Sequence, residues 1–279
     1  MEVENTTVPI KSVEGEDDET KMSVGMKIDK LFVQLEKEFN EQNIEETERL
    51  LEETKVMIEK GGDWDRRNRR RVYEGLYLIT FKRDFVKASS LLVESIGTFA
   101  VSSLISFERF VFIASISGIL CFDRNKMKKS ILDNPDVISA SVQYPCLLNM
   151  GNALYKSDYA TFISELKNTV VLMMNEPILA KSADWFCKEM RIKAYVQIMR
   201  SYLAVRLDVF AQEFGLPVDF IEKELERFIS QGRLPAQIDK VNGIVMNAHK
   251  DKRNEFYVTL VKNGDTVVEK LQRLERKME

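Results

Sequence analysis

The sequence predicts a mainly α-helical protein: a right-handed, TPR-like array of paired helices, then a winged-helix module, then a terminal helix. Three observations carry this. Apolar residues recur at three- and four-residue spacing over most of the chain up to about residue 205. Two apolar-alternating runs, Ala236–Val241 and Ile244–Asn247, flank Asn242-Gly243, a dipeptide suited to a tight hairpin because both residues tolerate positive φ. Near the end, Val267, Leu271, Leu274 and Met278 are spaced four, three and four, which is a heptad seam.

In order along the chain, residues 1–25 carry Glu2, Glu4, Glu14, Glu16, Asp17, Asp18 and Glu19 against Lys11 and Lys21. Few large apolar groups accompany them, so a disordered acidic tail is expected. From 26 to 183 a helical-repeat domain is expected. Its first helix is marked by Ile28, Leu31, Phe32, Leu35 and Phe39, and its second by Ile44, Leu50, Leu51, Met57 and Ile58 after a break at Gln42-Asn43. Gly61-Gly62 closes the second helix, and Asp63 is suited to N-cap the third. Later breaks fall at Lys82–Asp84, Asp123–Asn125, Asn134-Pro135, Tyr144-Pro145, Lys156–Asp158 and Asn175–Pro177. Helix pairs at this rhythm point to an α-solenoid. Phe81-Lys82-Arg83-Asp84-Phe85 is echoed 74 residues later by Tyr155-Lys156-Ser157-Asp158-Tyr159, about two repeats of the ~34-residue tetratricopeptide size.

Residues 184–255 read as the winged-helix part. Leu203–Phe214 forms an amphipathic helix ended by Gly215, Leu216-Pro217 turns the chain, and Pro217–Gln231 forms a second helix. That second helix places Phe220, Ile221, Leu225, Phe228 and Ile229 on one face, and Gly232 ends it before the hairpin. Residues 256–279 form a C-terminal bundle helix whose seam is surrounded by Glu269, Lys270, Arg273 and Arg276.

Composition narrows the chemistry. A net charge of −3 over 279 residues gives no global attraction to nucleic acid or anionic membrane. Three well-separated cysteines, Cys121, Cys146 and Cys187, suit buried thiols in a reducing compartment. The longest apolar region, Phe107–Phe122, is interrupted by Glu108 and Arg109 and is too short to span a bilayer. Residence in cytoplasm and nucleus is expected. His249 is the sole histidine, so neither a zinc site of the HExxH kind nor a second histidine for catalysis is available. Phosphate-cradling glycine motifs are missing too. No catalytic, cofactor-binding or metal residue is assigned, no cofactor is expected, and the protein reads as not an enzyme.

A winged helix raises nucleic-acid binding as an alternative. The second helix, however, carries Asp219, Glu222, Glu224 and Glu226 against Lys223 and Arg227, a net of −2 where phosphates would approach. Docking of protein is the better reading. The wing residues Ile238, Val241, Ile244 and Met246 and the seam Val267, Leu271, Leu274 and Met278 are the expected partner-binding groups. A basic run, Arg66, Arg67, Arg69, Arg70 and Arg71, with Lys82 and Arg83 beyond it, has two readings. It is either a solvated face paired with Glu74 or the acidic stretch 45–53, or a socket for an acidic peptide, centred on Arg66, Arg67, Arg70 and Arg71.

These features resemble a known family. Gly61-Gly62-Asp63-Trp64-Asp65-Arg66-Arg67-Asn68-Arg69, Val72–Tyr77, Arg83-Asp84-Phe85, Glu189–Ile192, Gly232-Arg233-Leu234 and Ile238–Asn242 look like segments of PCI-domain subunits of the proteasome regulatory-particle lid. The same layout occurs in the COP9 signalosome and in a translation-initiation factor. The resemblance covers about residues 60–279. It implies a structural scaffold subunit supporting ubiquitin-dependent degradation. In that family winged helices associate side by side and C-terminal helices gather in a bundle. Implied partners are other PCI subunits of the lid and a small acidic disordered subunit, within a hetero-oligomer. Membership of the signalosome and nucleic-acid binding stay open as alternatives.

Overall fold

The computed structural model describes residues 23–99, 104–247 and 252–278. They form thirteen α-helices and one three-stranded sheet. The expectation for residues 1–22 and for His249 lies outside the described residues. The chain divides into two units, Met1–Tyr155 with Ser164–Cys187, and Lys156–Ile163 with Lys188–Glu279. The division lies inside a helix, and Lys156–Ile163 joins the second unit, an interleaving that linear domain ranges do not describe.

The first unit contains α1 (Val24–Asn40), α2 (Ile44–Gly61), α3 (Trp64–Tyr77), α4 (Phe85–Glu94), α5 (Phe107–Cys121), α6 (Arg124–Met127), α7 (Pro135–Ala140), α8 (Pro145–Lys156, its last residue in the second unit) and most of α9 (Tyr159–Asn175). Ser23 caps α1 by accepting from the Met26 N–H at 3.4 Å, so helix replaces the expected tail from Val24 onward. Ile28, Phe32, Leu35 and Phe39, spaced four, three and four, are buried where α1 packs on α2. Asp63 stands at the N-cap position of α3, yet its carboxylate accepts from Arg66 at 3.0 Å and caps no backbone group. An arginine one turn ahead outcompetes the local cap.

Helix α5 is the core of this unit. Every residue from Phe110 to Ile119 is buried, as expected of a helix that is apolar all round. Arg109, at its start, forks onto Glu176 with nitrogen–oxygen distances of 2.8–3.2 Å. Gly75 lets α3 and α4 approach closely: a Cβ there would lie 2.5 Å from Leu92 Cδ2 and 2.7 Å from its Cγ.

The five-residue echo has a common geometry. Arg83 and Ser157 both adopt left-handed backbone, at φ 53° and 64°. The following aspartates cap the next helices, Asp84 from the Lys87 N–H at 3.1 Å and Asp158 from the Thr161 N–H at 3.2 Å. The Lys87 N–H chiefly lowers the Asp84 carboxyl pKa, and the Thr161 hydroxyl, donating at 2.7 Å, together with the Thr161 N–H lowers that of Asp158. Only Cys146 of the three thiols is buried, and burial raises its pKa; Cys121 and Cys187 are half-buried.

The second unit holds the start of α9, most of α10 (Ala183–Ser201), β1 (Ala204–Arg206), α11 (Leu207–Phe214), α12 (Val218–Ser230), β2 (Ala236–Asp239), β3 (Ile244–Asn247) and α13 (Lys252–Met278). The sheet is antiparallel in the order β1-β3-β2. Residues 204–206, expected in a helix, are instead a third strand. Asn247 N–H donates to Leu203 O and Leu207 N–H to Gly243 O, each at 2.8 Å, and satisfying these backbone groups outweighs one more helical turn. Gly215, at φ 62°, ends α11 as expected.

The hairpin also differs from expectation. Its loop has four residues, Lys240–Gly243, and only Gly243 is left-handed. The Asp239 carboxylate accepts from Val241 N–H at 3.0 Å and from Asn242 N–H at 3.2 Å and Nδ2 at 2.8 Å. This side-chain turn takes the place of the two-residue loop. On α12, Ile221, Leu225 and Phe228 point inward, while Phe220 is exposed rather than on the buried face.

One tyrosine organises the unit. Tyr195 is fully buried, with ring centroids 4.8 Å from Phe214, 5.4 Å from Phe210 and 6.2 Å from Phe228. Its hydroxyl donates to Glu224 at 2.7 Å, and Arg191 meets the other oxygen of that carboxylate at 2.8 Å.

Two stability outcomes are expected. Gly75→Ala lowers unfolding free energy by about 1–3 kcal/mol in urea titration, although alanine favours helix, because the α3–α4 contact is overpacked. Tyr195→Phe lowers it by about 1–3 kcal/mol by removing a hydrogen bond to a buried carboxylate.

Candidate partner-binding surfaces

The arginines of α3 part onto two sides of the helix. Arg66 and Arg69, with Tyr73, face α1. Arg66 forks onto Asp29 at 2.8 and 3.0 Å. Arg69 reaches Glu36 at 3.0 Å and the Tyr73 hydroxyl at 3.0 Å, with its guanidinium 5.1 Å from the Phe32 ring centre. The Tyr73 hydroxyl also donates to Glu36. Hydrogen bonding from Arg66 holds the Asp29 carboxyl below the usual range.

Arg67, Arg70 and Arg71 turn to the other side, where with Lys55, Ile58 and Glu59 of α2 they line a cleft of about 340 Å³. Arg70 pairs with Glu74 at 3.1 Å. Arg67 and Arg71 are exposed. The structure therefore removes Arg66 from the proposed socket and keeps Arg67, Arg70 and Arg71 together. The acidic stretch 45–53 does not serve this cluster; its Glu48 accepts from Lys82 and from the Tyr77 hydroxyl.

In the second unit the wing residues do not share a face. Ile238 pairs with Val245 and Val245 with Val205, and this row lies on the inner side, with Val245 fully buried. Ile244 and Met246 are on the opposite side of β3, and Val241 projects from the loop at 94% exposure. Ile238 is half-buried, because strand alternation turns it toward the side of Val245. Beside β1, Tyr202, Leu203 and Val209 form an exposed apolar group, Leu203 at 88%. They adjoin a groove of about 510 Å³ lined by Ser157, Tyr159, Ile198, Tyr202, Val205 and Val209 among others. Sequence reading missed this group because Leu203 was assigned to a helix.

Helix α13 is a further candidate surface. It has 27 residues, about 40 Å at ~1.5 Å per residue. Every described side chain from 256 to 276 is exposed. Val267, Leu271 and Leu274 hold the expected seam; the Met278 side chain lies outside the described residues. The rhythm continues backwards through Gly264, Leu260 and Tyr257, with Phe256, Val258 and Val261 widening the apolar surface. Among the described side chains its nine large apolar ones are 53–64% exposed. Extending the same four-three spacing in the sequence finds Tyr257 and Leu260.

On α12, Lys240 bridges Glu222 at 3.4 Å and also Glu226, and Glu224 is taken by Arg191. Its acidity is largely matched by neighbours, so the face lacks positive excess without being strongly repulsive. Among the described residues no group of His, Cys, Asp and Glu side chains could hold a metal ion, and no helix is long and apolar enough to cross a membrane.

A family model described as 26S proteasome subunit RPN7 matches residues 18–130, which include α1 to α3, and a PCI-domain model matches residues 169–247, which include the winged helix. The 26S proteasome non-ATPase regulatory subunit 6 homolog of Arabidopsis thaliana is 34% identical over 255 residues, covering 91% of this chain and 66% of the relative. The chain is similar to the RPN7 family. The RPN7 regulatory subunit of Saccharomyces cerevisiae is 38% identical over 221 residues, 78% of this chain and 51% of that protein. The chain thus spans about half to two thirds of the length of these curated relatives. The COP9 signalosome complex subunit 1 of Arabidopsis thaliana is more distant, 28% identical over 153 residues, 54% of this chain and 34% of that one. Neither matching family description names an enzyme.

The two arginine sets should behave differently. Arg66→Gln lowers stability, whereas Arg67→Gln and Arg71→Gln each change it by no more than about 0.5 kcal/mol in urea titration. Asp29 has a lowered folded-state pKa, so its contribution is present above the ordinary carboxylate range and is lost as pH falls through the folded value. Asp29→Asn should therefore lose less stability than the unaltered chain between neutral and strongly acidic pH.

Proposed function

We propose that this chain is a non-catalytic scaffold subunit of the proteasome regulatory-particle lid, acting in ubiquitin-dependent degradation in cytoplasm and nucleus. The observation that carries the reading is α13. An isolated helix with this much apolar surface in water loses the free energy that burial would supply, at about 25 cal/mol per Å². A heptad seam is the surface that other helices cover by inserting knobs into holes. Other PCI subunits of the lid are the partners this reading assigns to it, so that α13 forms part of a helical bundle.

The winged helix supplies a second contact. Ile244, Met246 and Val241 on the wing, with Tyr202 and Leu203 beside β1, present apolar groups that become dry only on association. Each outer strand of the sheet also keeps one unpaired edge. The cleft at Arg67, Arg70 and Arg71 suits the carboxylates of an acidic subunit, since guanidinium forks match carboxylate geometry. The 26S proteasome regulatory-subunit names carried by the relatives, and the weaker likeness to the signalosome subunit, favour the proteasome over the signalosome.

Truncation after Asn263 tests the reading. The shortened chain should melt as the full chain does, because the removed residues up to Arg276 are exposed, yet co-purify with lid subunits at no more than a few per cent of the normal yield. Leu271→Asp with Leu274→Asp should do the same. Normal incorporation of either variant would overturn the bundle role, and recovery of signalosome subunits by the full chain would overturn the assignment to the lid.

A further inference from the structure

Asn-Gly occurs twice in the chain, at Asn242-Gly243 and at Asn263-Gly264. The dipeptide carries an intrinsic reaction. The glycine backbone nitrogen can attack the asparagine carboxamide carbon, because glycine has no side chain to crowd the approach. A five-membered succinimide forms. The carboxamide nitrogen leaves as ammonia, with the proton given up by the glycine nitrogen. Water then opens the ring at either carbonyl and yields aspartate or isoaspartate. In isoaspartate the backbone runs through the former side chain and is longer by one methylene. Solvent water is the only co-reactant.

Both asparagines are exposed, so access to water does not distinguish them. The backbone does. Gly264 lies inside α13, where its N–H donates to the carbonyl four residues back. The Asn263 carbonyl is also held, by the Thr266 hydroxyl at 2.7 Å. Attack at that position requires a helical hydrogen bond to break. Asn242-Gly243 instead closes the loop Lys240–Gly243. Gly243 is left-handed at φ 64°, and among the described residues nothing accepts from its N–H. The nucleophile at Gly243 thus lacks the restraint that holds Gly264.

The loop is built on the group that the reaction removes. Asn242 Nδ2 donates to the Asp239 carboxylate at 2.8 Å, the contact that does most to hold the Asp239 carboxyl pKa below the usual range. Conversion replaces this donor with a second carboxylate, so two like charges meet. The same Asp239 accepts from the Val241 and Asn242 N–H groups at 3.0 and 3.2 Å. Repelling Asp239 therefore releases the turn that presents Val241.

We infer that Asn242 is a site of spontaneous deamidation in the folded chain, that Asn263 is protected by its helix, and that conversion at Asn242 loosens the wing turn. This goes beyond the assembly reading and is tested on the isolated chain, so failure of one is visible apart from failure of the other.

The test is incubation of the full chain in mildly alkaline buffer, with tryptic peptides followed over days by mass spectrometry that separates aspartate from isoaspartate. Cleavage at lysine places the two asparagines in different peptides, residues 241–250 and 263–270. Asn242 should convert severalfold faster than Asn263, with isoaspartate among the products. In concentrated urea the gap should narrow, because the protecting helix is gone. Equal rates in the folded chain would overturn the inference. So would a gap that urea leaves unchanged, since the cause would then lie in the neighbouring sequence. Asn242→Gln, whose ring closure is slower, should convert far less at that position; conversion at the unaltered rate would count against the succinimide route. The loosening is read on Asn242→Asp by hydrogen exchange. Amides of residues 240–244 should exchange severalfold faster than in the unaltered chain, while those of the buried Leu225 and Phe228 keep their rates. Unchanged exchange at 240–244 would remove that part of the inference.

Discussion

Satisfying the buried Tyr195 hydroxyl within an aromatic cluster is the constraint on which the second unit depends. The ring needs Phe210, Phe214 and Phe228 around it, which ties α10 to α11 and α12. The hydroxyl needs an acceptor, supplied by Glu224, and that carboxylate needs a counter-charge, supplied by Arg191. A carboxylate on the second helix of the module is thereby taken out of surface chemistry. It serves packing, and the outward face of α12 is left near neutrality by Lys240. Core demands in this way shape what the surface can recognise.

The first unit solves a related problem differently. Its α3 is crowded with arginines, which repel one another unless matched. Two of them, Arg66 and Arg69, are drawn onto α1 by Asp29 and Glu36, and the Phe32 ring accepts one guanidinium. Pairing there is far apart in sequence and holds helices together. Pairing on the other side is local, between Arg70 and Glu74, and leaves two exposed cations beside a cleft. One helix thus joins a paired, stabilising face to an exposed cationic one.

Apolar patterning has two outcomes along the chain. In α5 the apolar residues find internal partners and become the core; in α13 they meet water over some 40 Å. The same amino-acid types do opposite things because the rest of the chain covers one helix and not the other.

Periodicity and turn chemistry determined much of this from the sequence by itself. Helical spacing marked α1 and α2, Gly215 the end of α11, Asp84 and Asp158 the starts of their helices, and the four-three rhythm the seam of α13, because each rests on local backbone or face geometry. Only the tertiary structure decided features set by distant neighbours. Residues 204–206 became a strand because β3 offered its backbone groups, Ile238 turned inward with the pleat, and Phe220 stayed outside the core. Which arginines remain available to a partner was likewise settled in space, since Asp29 and Glu36 lie more than thirty residues from the guanidinium groups they hold.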